Sequence, residues 1–330
     1  LKIMAFSNTY DTTNPGSGVS NREDLTDILT ILAPEETPVL SSAPKSKATA
    51  TFVEWTVDSL AAPSTAGVAE GSDVTAFTDK FSGRARLGNY VQKFRRDFMV
   101  SDLQDAVESV GPAKIAEAEA KSARELKRDV EATLCSTNDR TAEDGAGAVY
   151  GLRGLGDWID SAGPTDVPAA YRTPADSIHS TGALTESGFN DLITSIYRVT
   201  GSTNNLTLVA DTALRRVIAD YARTSGSTNA VYRSVTQSAD SKTIKLSVEM
   251  YESDHGMVSV VNMNPDCAPD TTNKDSGYLI NPDYYGVAEL IGLGSTRLPN
   301  LGGGQRGYVD TTLSLLVKHP GAHGKITAIA

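Results

Sequence analysis

The glycine run at 302–307 is the first place where residue type and spacing could do chemistry. It fits the pattern G-x-G-x-x-G, which in dinucleotide-binding proteins joins a strand to a helix whose N-terminus holds the phosphates. Here a proline-containing loop comes before the glycines, and a strand-like segment, 308–313, follows them. The context therefore predicts a flexible glycine turn, and we expect no cofactor.

Histidine and cysteine are the other residues that could hold a metal ion or act in catalysis. His319 and His323 are separated by Pro320, which breaks any helix that would bring both rings to one ion. Cys135 and Cys267 have no neighbouring cysteine, which predicts reduced thiols. No nucleophile elbow, phosphate loop or distinctive carboxylate pair stands out. We predict no catalytic residue and no metal site, and we do not expect an enzyme.

Composition excludes further classes. The chain has 330 residues, of which 39% are hydrophobic and 22% charged, an ordinary globular balance that excludes a disordered protein. The net charge of -11 is opposite to that of a protein whose main task is to grip nucleic acid. No apolar run approaches the ~18 residues of a spanning helix, and the first residues lack a signal-peptide pattern, so neither a membrane partner nor secretion is expected.

Most of the charged residues that follow a recognisable pattern lie in an extended segment at 48–100. Strands are predicted at 48–58 and 84–100 from their β-branched and aromatic residues, and the connection between them has few large apolar side chains. Acids lie on the first side and bases on the second. The acids are Glu54, Asp58, Glu70, Asp73 and Asp79, and the bases are Lys80, Arg84, Arg86, Lys93, Arg95 and Arg96.

A connection of ~20 residues without a core argues against a compact domain unless it packs on another chain. Opposite charges on the two sides would then fix register and partner choice. The alternative is that these charges pair across one hairpin, each such pair contributing about 0.2–1 kcal/mol. Under the first hypothesis, the residues that contact a neighbouring subunit are Glu54, Asp58, Glu70, Asp73, Lys80, Arg84, Arg86, Arg95 and Arg96.

The remaining pattern predicts a helical insert at 20–32 in a polar N-terminal segment, and a long helix at 112–136. The apolar stripe of that long helix is narrow, so we expect it to lie across a sheet. A loop-rich stretch follows, and then a compact α/β unit from 184 to about 290 with a hairpin that turns near His255. The final β-rich segments have no local helix, so they should return to pack under the long helix.

This order of elements resembles that of the major capsid proteins of tailed bacteriophages, whose fold is shared with encapsulins. The resemblance spans nearly the whole chain and is strongest at 21–62. The segments that carry it are 21–29 (NREDLTDIL), 33–40 (APEETPVL), 48–55 (ATATFVEW), 122–131 (SARELKRDVE) and 151–155 (GLRGL).

The resemblance implies an α+β fold with named parts. These are an N-terminal arm at 1–47, an extended E-loop hairpin at 48–100, a P-domain with its spine helix at 101–183, an α/β A-domain at 184–290 and returning P-domain strands at 291–330. The E-loop would lie over a neighbouring subunit. Lys80 would be the natural donor to test for a Lys–Asn isopeptide cross-link, although the sequence identifies neither an activating carboxylate nor an asparagine partner.

The implied function is that of a structural major capsid protein. Copies would self-assemble into hexamers and pentamers of an icosahedral head that encloses double-stranded DNA without sequence-specific binding. The implied location is the virion, with assembly in the host cytoplasm and with scaffolding, portal and decoration proteins as candidate partners. The short arm suggests either a separate scaffolding protein or a removed prosequence.

Two alternatives remain open from sequence. An encapsulin-like compartment would use the same fold to hold cargo enzymes, and neighbouring genes for a terminase and portal, or for a cargo protein, would distinguish the two. A monomeric hydrolase with an unrecognised site would elute from a size-exclusion column as a single chain, whereas a shell protein would elute as capsomers or particles.

Overall fold

The computed structural model describes residues 35–107, 114–203, 205–223, 249–269 and 273–329. The predicted helix at 20–32 and the predicted strand positions Ile244, Leu246 and Val248 lie outside these ranges. The helices are α1 (Pro38–Ser42), α2 (Asp102–Ala106), α3 (Lys114–Cys135), α4 (Leu155–Trp158), α5 (Glu186–Thr200) and α6 (Thr212–Arg223). The strands are β1 (Lys45–Lys47), β2 (Phe52–Val57), β3 (Ala85–Tyr90), β4 (Gln92–Val100), β5 (Ile178–His179), β6 (Leu206–Ala210), β7 (Met250–Ser253), β8 (Gly256–Asn262), β9 (Gly277–Ile280), β10 (Tyr285–Leu298), β11 (Gln305–Val317) and β12 (Gly324–Ile326).

Within the described ranges the strands form three sheets. A four-stranded sheet has the order β1-β10-β11-β4, and a six-stranded sheet has the order β5-β12-β9-β6-β8-β7. The third is the two-stranded hairpin of β2 and β3. The fold is therefore α+β, with a long helix on one sheet and an α/β unit around the other.

Helix α3 lies across the four-stranded sheet, as its narrow apolar stripe predicts. Leu126, Val130 and Leu134 recur every four residues and are buried, and they share one core with Phe94 of β4 and Leu313 of β11. Each buried leucine contributes about 1.5–3 kcal/mol by leaving water. The prediction that a late strand returns under this helix is confirmed for β11.

The α/β unit is also built as its local signals predict. The hydroxyl of Thr185 accepts the N–H of Gly188 at 3.1 Å and caps α5, and Gly201, at φ 69°, ends it in the left-handed region that glycine tolerates. Phe189 and Ile193 of α5 pack with Leu208 of β6 in a second core. The hairpin around His255 is confirmed as β7 and β8.

The segment 84–100 is not one return strand, and that prediction is wrong beyond Tyr90. Strand β3 pairs with β2, whereas β4 pairs with β11, in register from Gln92 opposite Leu313 to Val100 opposite Gln305. The physical reason is the burial of Phe94 and Phe98 under α3, which a free hairpin could not provide. Arg95 and Arg96 therefore lie on the four-stranded sheet and not on the hairpin.

The last strands also divide between the sheets. Strands β10 and β11 form the centre of the four-stranded sheet, whereas β12 pairs with β9 and β5 in the six-stranded sheet. The predicted grouping of 291–330 under the long helix therefore fails for β12, because Ile326 is buried in the second core with Leu279. The chain passes between the two sheets at 281–284 and again at 318–323.

Glu131 fixes the first described helix to α3. Its Oε1 accepts the N–H of Val39 at 2.9 Å and its Oε2 accepts the N–H of Leu40 at 2.8 Å. Burial raises the pKa of Glu131, although both hydrogen bonds oppose the shift. The structure buries the Glu131 carboxylate as the clamp that holds α1 against α3.

Candidate inter-subunit surface

The root of the hairpin, which we define as strands β2 and β3, is held by aromatic contacts with the loop-rich stretch 137–183. Trp55 of β2 lies 5.7 Å from Trp158, measured between ring centroids. The guanidinium of Arg140 lies over the ring of Phe52 at 5.1 Å. The hydroxyl of Tyr171 donates to the carbonyl of Gly83, where the second strand begins. The root is thus fastened to the body of the subunit through both of its strands.

Asn89 and Arg153, which we call the joint, complete this attachment. Asn89 is fully buried on β3. Its Nδ2 donates to the carbonyls of Arg153 at 3.2 Å and Leu315 at 2.9 Å, and its Oδ1 accepts the N–H of Arg153 at 2.8 Å. One side chain therefore links the hairpin, the loop-rich stretch and β11.

The Arg153 guanidinium is only 1% exposed, and three carboxylates surround it. Asp139, Asp157 and Asp166 each form an ion pair with it, and Asp157 and Asp166 lie at 2.9 and 2.8 Å. Its carbon CZ lies 4.8 Å from the centroid of the Trp158 ring. Burial alone would lower the pKa of Arg153, but hydrogen bonds to Asp166 and Asp139 outweigh it and raise the pKa. A charge held in this way keeps the joint fully ionised and fixed in direction.

The tip of the hairpin, residues 58–84, has the opposite character. Every residue in it is exposed, and it contains no helix or strand. Apart from the bonds of Ser59 and Gly83 with Tyr171 and the Arg84–Asp58 pair at its base, its described hydrogen bonds are local, such as that from the N–H of Ser72 to the carbonyl of Ala69 at 3.2 Å. Leu60 is 100% exposed and Phe77 89%. The other large apolar side chains exposed in the tip are Val68, Val74 and Phe81.

Five large apolar side chains exposed on one segment favour an interaction site, because soluble proteins rarely leave much apolar surface uncovered. The tip makes no ordered structure of its own that could cover these side chains, and each would gain about 1.5–3 kcal/mol from full burial. What the tip can do chemically is therefore bind: it offers apolar side chains on an extended backbone to a surface outside its own subunit.

Four of the nine charged residues predicted for the inter-subunit surface pair within the hairpin. Arg84 donates to Asp58 at 2.8 Å, and Arg86 lies 3.6 Å from Glu54. The hydrogen bond from Arg84 lowers the pKa of Asp58. These contacts are those of the alternative reading, in which acids and bases pair across one hairpin, so these four residues position the strands relative to each other.

Arg95 and Arg96 have partners in the body of the subunit. Arg96 makes two hydrogen bonds to the carboxylate of Asp129 on α3, at 2.5 and 2.7 Å, and these raise the pKa of Arg96. Arg95 lies on the other face of β4 and contacts Asp97 at 3.1 Å. The structure thus separates two neighbouring arginines that the sequence places together.

Glu70, Asp73 and Lys80 are the predicted residues that the tip itself carries. All three are exposed, and none has an ion-pair partner within the described ranges. They remain available to a neighbouring subunit, and their predicted role there is unchanged.

A second open surface, which the sequence did not reveal, lies on the four-stranded sheet opposite α3. Arg95, Asp97 and Met99 of β4 are exposed there. Two depressions of about 400 and 610 Å³ lie along this face, and Arg95 lines both. Met99 and Leu298 add apolar area beside the first depression. The signal that could have found this face is the alternation of charged and apolar residues on β4, once its pairing with β11 is known.

The described ranges were also compared with the requirements of a metal site and of a membrane-spanning helix, and they meet neither. Within the described ranges, no three His, Cys, Asp or Glu side chains come together in a group that could hold a metal ion. Across the same part of the chain, no helix is long and apolar enough to cross a membrane.

Known structures share this architecture over almost the full chain. The capsid of a native GTA particle matches 97% of this chain and 99% of its own, with TM-score 0.62 and 14% identity. The capsid of cyanophage A-1(L) matches 96% of this chain and 99% of its own, with TM-score 0.62 and 14% identity. A structure of Gordonia phage Cozz matches 100% of this chain and 98% of its own, with TM-score 0.58 and 14% identity.

At such low identity these likenesses show the fold, which is that of phage capsid proteins, and they do not favour the encapsulin alternative. The comparison with curated proteins found no match. The sequence model of one protein family, described as SU10 major capsid protein, matches residues 5–330. Because this match covers nearly the whole chain, the protein belongs to the SU10 major capsid protein family.

Proposed function

We propose that copies of this chain form the hexamers and pentamers of an icosahedral phage head, with the tip of each hairpin lying on a neighbouring subunit. The observation that carries this proposal is the exposure of the whole tip, including Leu60 and Phe77, beyond a firmly held root. The protein's part in the head is structural, and no catalytic step is needed for it.

The tip gives the proposed contact its extent. An obligate interface buries more than about 2,000 Å², and a tip exposed at every residue from 58 to 84 offers a long surface toward that area. Glu70, Asp73 and Lys80 lack partners in their own subunit among the described residues, so they can set the register of the contact. We assign the other six predicted residues to positions within one subunit. They are Glu54, Asp58, Arg84, Arg86, Arg95 and Arg96.

The overall charge fits a container for DNA more than a binder of DNA. The net charge of -11 disfavours tight contact with phosphates, so the shell would enclose double-stranded DNA without reading its sequence. We place the assembled protein in the virion and its assembly in the host cytoplasm. Scaffolding, portal and decoration proteins are its proposed partners.

The domain division is part of this proposal, adjusted to the strand pairing. The E-loop becomes the root and tip together, 48–90. The P-domain takes α3 and the four-stranded sheet, including β4, β10 and β11. The A-domain takes α5, α6 and the six-stranded sheet, including β12.

Electron microscopy and size-exclusion chromatography of the purified full chain test the proposal. We expect capsomers or closed shells with five-fold and six-fold positions. Elution as a single chain at every concentration, with no shells or capsomers in micrographs, would contradict it. A cargo enzyme found inside shells purified from the natural host would instead favour the compartment function.

A further inference from the structure

The joint is the place where a small change would have a large geometric effect. Asn89 lies one residue before the end of β3, and the chain then turns at Val91 into β4, which belongs to a different sheet. Beyond the paired residues of β2 and β3, the described residues show one further backbone hydrogen bond between the two sides of the hairpin. It runs from the N–H of Val91 to the carbonyl of Thr51, at 2.9 Å. The polar contacts at the joint therefore act together with the packing of Trp55, Val57 and Leu87 in setting the direction of the hairpin.

Those contacts are directional because they are polar. A hydrogen bond weakens steeply as its angle departs from linear, whereas apolar packing tolerates rotation. Burying Asn89 costs free energy unless all of its polar atoms are bonded, and the described structure bonds both Nδ2 and Oδ1. An apolar side chain in this position would leave the N–H of Arg153 and the carbonyl of Leu315 without this partner. The asparagine therefore both satisfies these buried groups and fixes the orientation of β3 relative to them.

The length of the hairpin multiplies any rotation at the joint. At most about 3.3–3.6 Å is spanned per residue, so the 19 residues between positions 70 and 89 reach up to ~60 Å. A rotation of roughly 10° at the joint moves the far end by as much as about 10 Å, which is larger than the separation of paired strands. An interface that depends on register would not tolerate such a displacement.

We propose that Asn89, acting with Arg153, is a positioning residue that sets the angle at which the hairpin leaves the subunit. Through that angle it sets the uniformity of the shell. This inference rests on the proposed role of the hairpin in assembly, but its first test does not depend on assembly.

The first test measures the angle in the free subunit. Spin labels are attached to Thr56→Cys on β2 and Ala116→Cys on α3, both exposed positions; the native thiols of Cys135 and Cys267 are buried and stay unlabelled. Pulsed electron paramagnetic resonance should give a single narrow distance distribution for the otherwise native chain. We expect at least a twofold broader distribution with Asn89→Leu.

Asn89→Asp is the milder variant, for use if Asn89→Leu is insoluble. It keeps the size and the acceptor oxygen and loses both donors, so we expect broadening in the same direction. Val130→Ala is the matched control, because it removes core volume under α3 and leaves the joint intact. It should lower the melting temperature without broadening the distance distribution.

The second test measures the diameter and regularity of shells by electron microscopy. The variants compared are ones whose melting temperatures are similar. Asn89→Leu and Asn89→Asp should give particles of mixed diameter or open sheets, whereas Val130→Ala should give particles of native diameter. Unchanged distance distributions in both Asn89 variants would overturn the inference. Broadened distributions together with uniform shells would also overturn it, since the joint would then not control assembly. If the native chain forms no shells, the proposed function fails, and the distance measurement alone decides whether the joint orients the hairpin.

Discussion

The root and the tip are consecutive parts of one hairpin, yet they are stabilised in different ways. In the root, the buried side chain of Asn89 and the ring of Trp55, which lies against Trp158, contact the body of the subunit. In the tip, the same chain carries fully exposed apolar residues and local turns. The difference shows that contacts within the subunit are concentrated where the hairpin begins and are few at the tip, which under the proposed function fits against a neighbouring subunit.

The largest expected effect comes from removing the tip. Deletion of residues 62–78 should abolish regular shells and leave the subunit folded, because no residue of this segment is buried in its own subunit. Electron microscopy reports the shells, and circular dichroism with thermal melting reports the fold. Intact particles from the deletion variant would refute the inter-subunit role of the tip.

The root should respond in the opposite way, with a large loss of stability. Arg153→Met removes the shared cation of Asp139, Asp157 and Asp166, whose side chains are 66, 26 and 30% exposed. Because solvent stabilises these carboxylates in part, we expect a cost of about 1–3 kcal/mol. Urea denaturation of free subunits measures the change.

The matched control is Arg84→Met at the border of the tip, where the guanidinium and its partner Asp58 are both exposed. It should leave the urea midpoint nearly unchanged. Equal losses in the two variants would remove the contrast between root and tip.

Acid should weaken the body of the subunit around His323. His323 is fully buried, and desolvation lowers its pKa to about 4 from 6.5. The unfolded chain binds this proton more tightly than the folded chain does. The contribution of neutral His323 to the free energy of unfolding is therefore intact above pH 6.5. It falls by up to about 3 kcal/mol as the pH drops from 6.5 toward 4.

The groups that face His323 offset this loss only in part. A hydrogen bond with the backbone of Tyr284 raises the pKa of His323, but burial outweighs it and nearby His319 lowers the pKa further. Asn281 donates its N–H to His323 Nδ1 at 3.2 Å, and Tyr285 meets the ring edge-on. His323→Gln cannot titrate, so its free energy of unfolding should depend less steeply on pH over this range. Parallel pH profiles for the two proteins would contradict the assignment.

The smallest expected effect is a difference in the free energy of unfolding between variants of the two neighbouring arginines, Arg95 and Arg96. Arg96→Glu should lower the free energy of unfolding by no more than about 1 kcal/mol, because its paired groups are partly exposed. Arg95→Glu should not lower it measurably, since its contact with Asp97 runs along one exposed strand face. If Arg95→Glu impairs assembly and Arg96→Glu does not, the open sheet face joins the tip as a contact surface.

Local patterns predicted the elements whose signals are carried by neighbouring residues. The four-residue spacing of Leu126, Val130 and Leu134 predicted α3 and the sheet beneath it, and the cap at Thr185 with the glycine at 201 predicted the ends of α5. The extended hairpin and its uncovered tip followed from composition, because a segment with few large apolar residues cannot build a core of its own.

The partner of β4 could not be predicted in the same way. Strand β11 lies more than 200 residues further along the chain, and no local signal shows that the chain changes sheets at Val91. The joint was missed for a related reason. A single asparagine in a strand is a weak hint, since strands disfavour it, and its partners Arg153 and Leu315 are distant in sequence.

The clamp at Glu131 has a mechanical consequence. Two hydrogen bonds from α1 end on one carboxylate near the C-terminal end of α3, and Glu35 pairs with Arg124 of the same helix. A force pulling on the chain ahead of Pro38 is therefore delivered to α3. The helix carries that load along its axis to the sheet that it covers. Tension on the leading segment of one subunit can in this way reach the strand that adjoins its own hairpin, without any loop between them having to move.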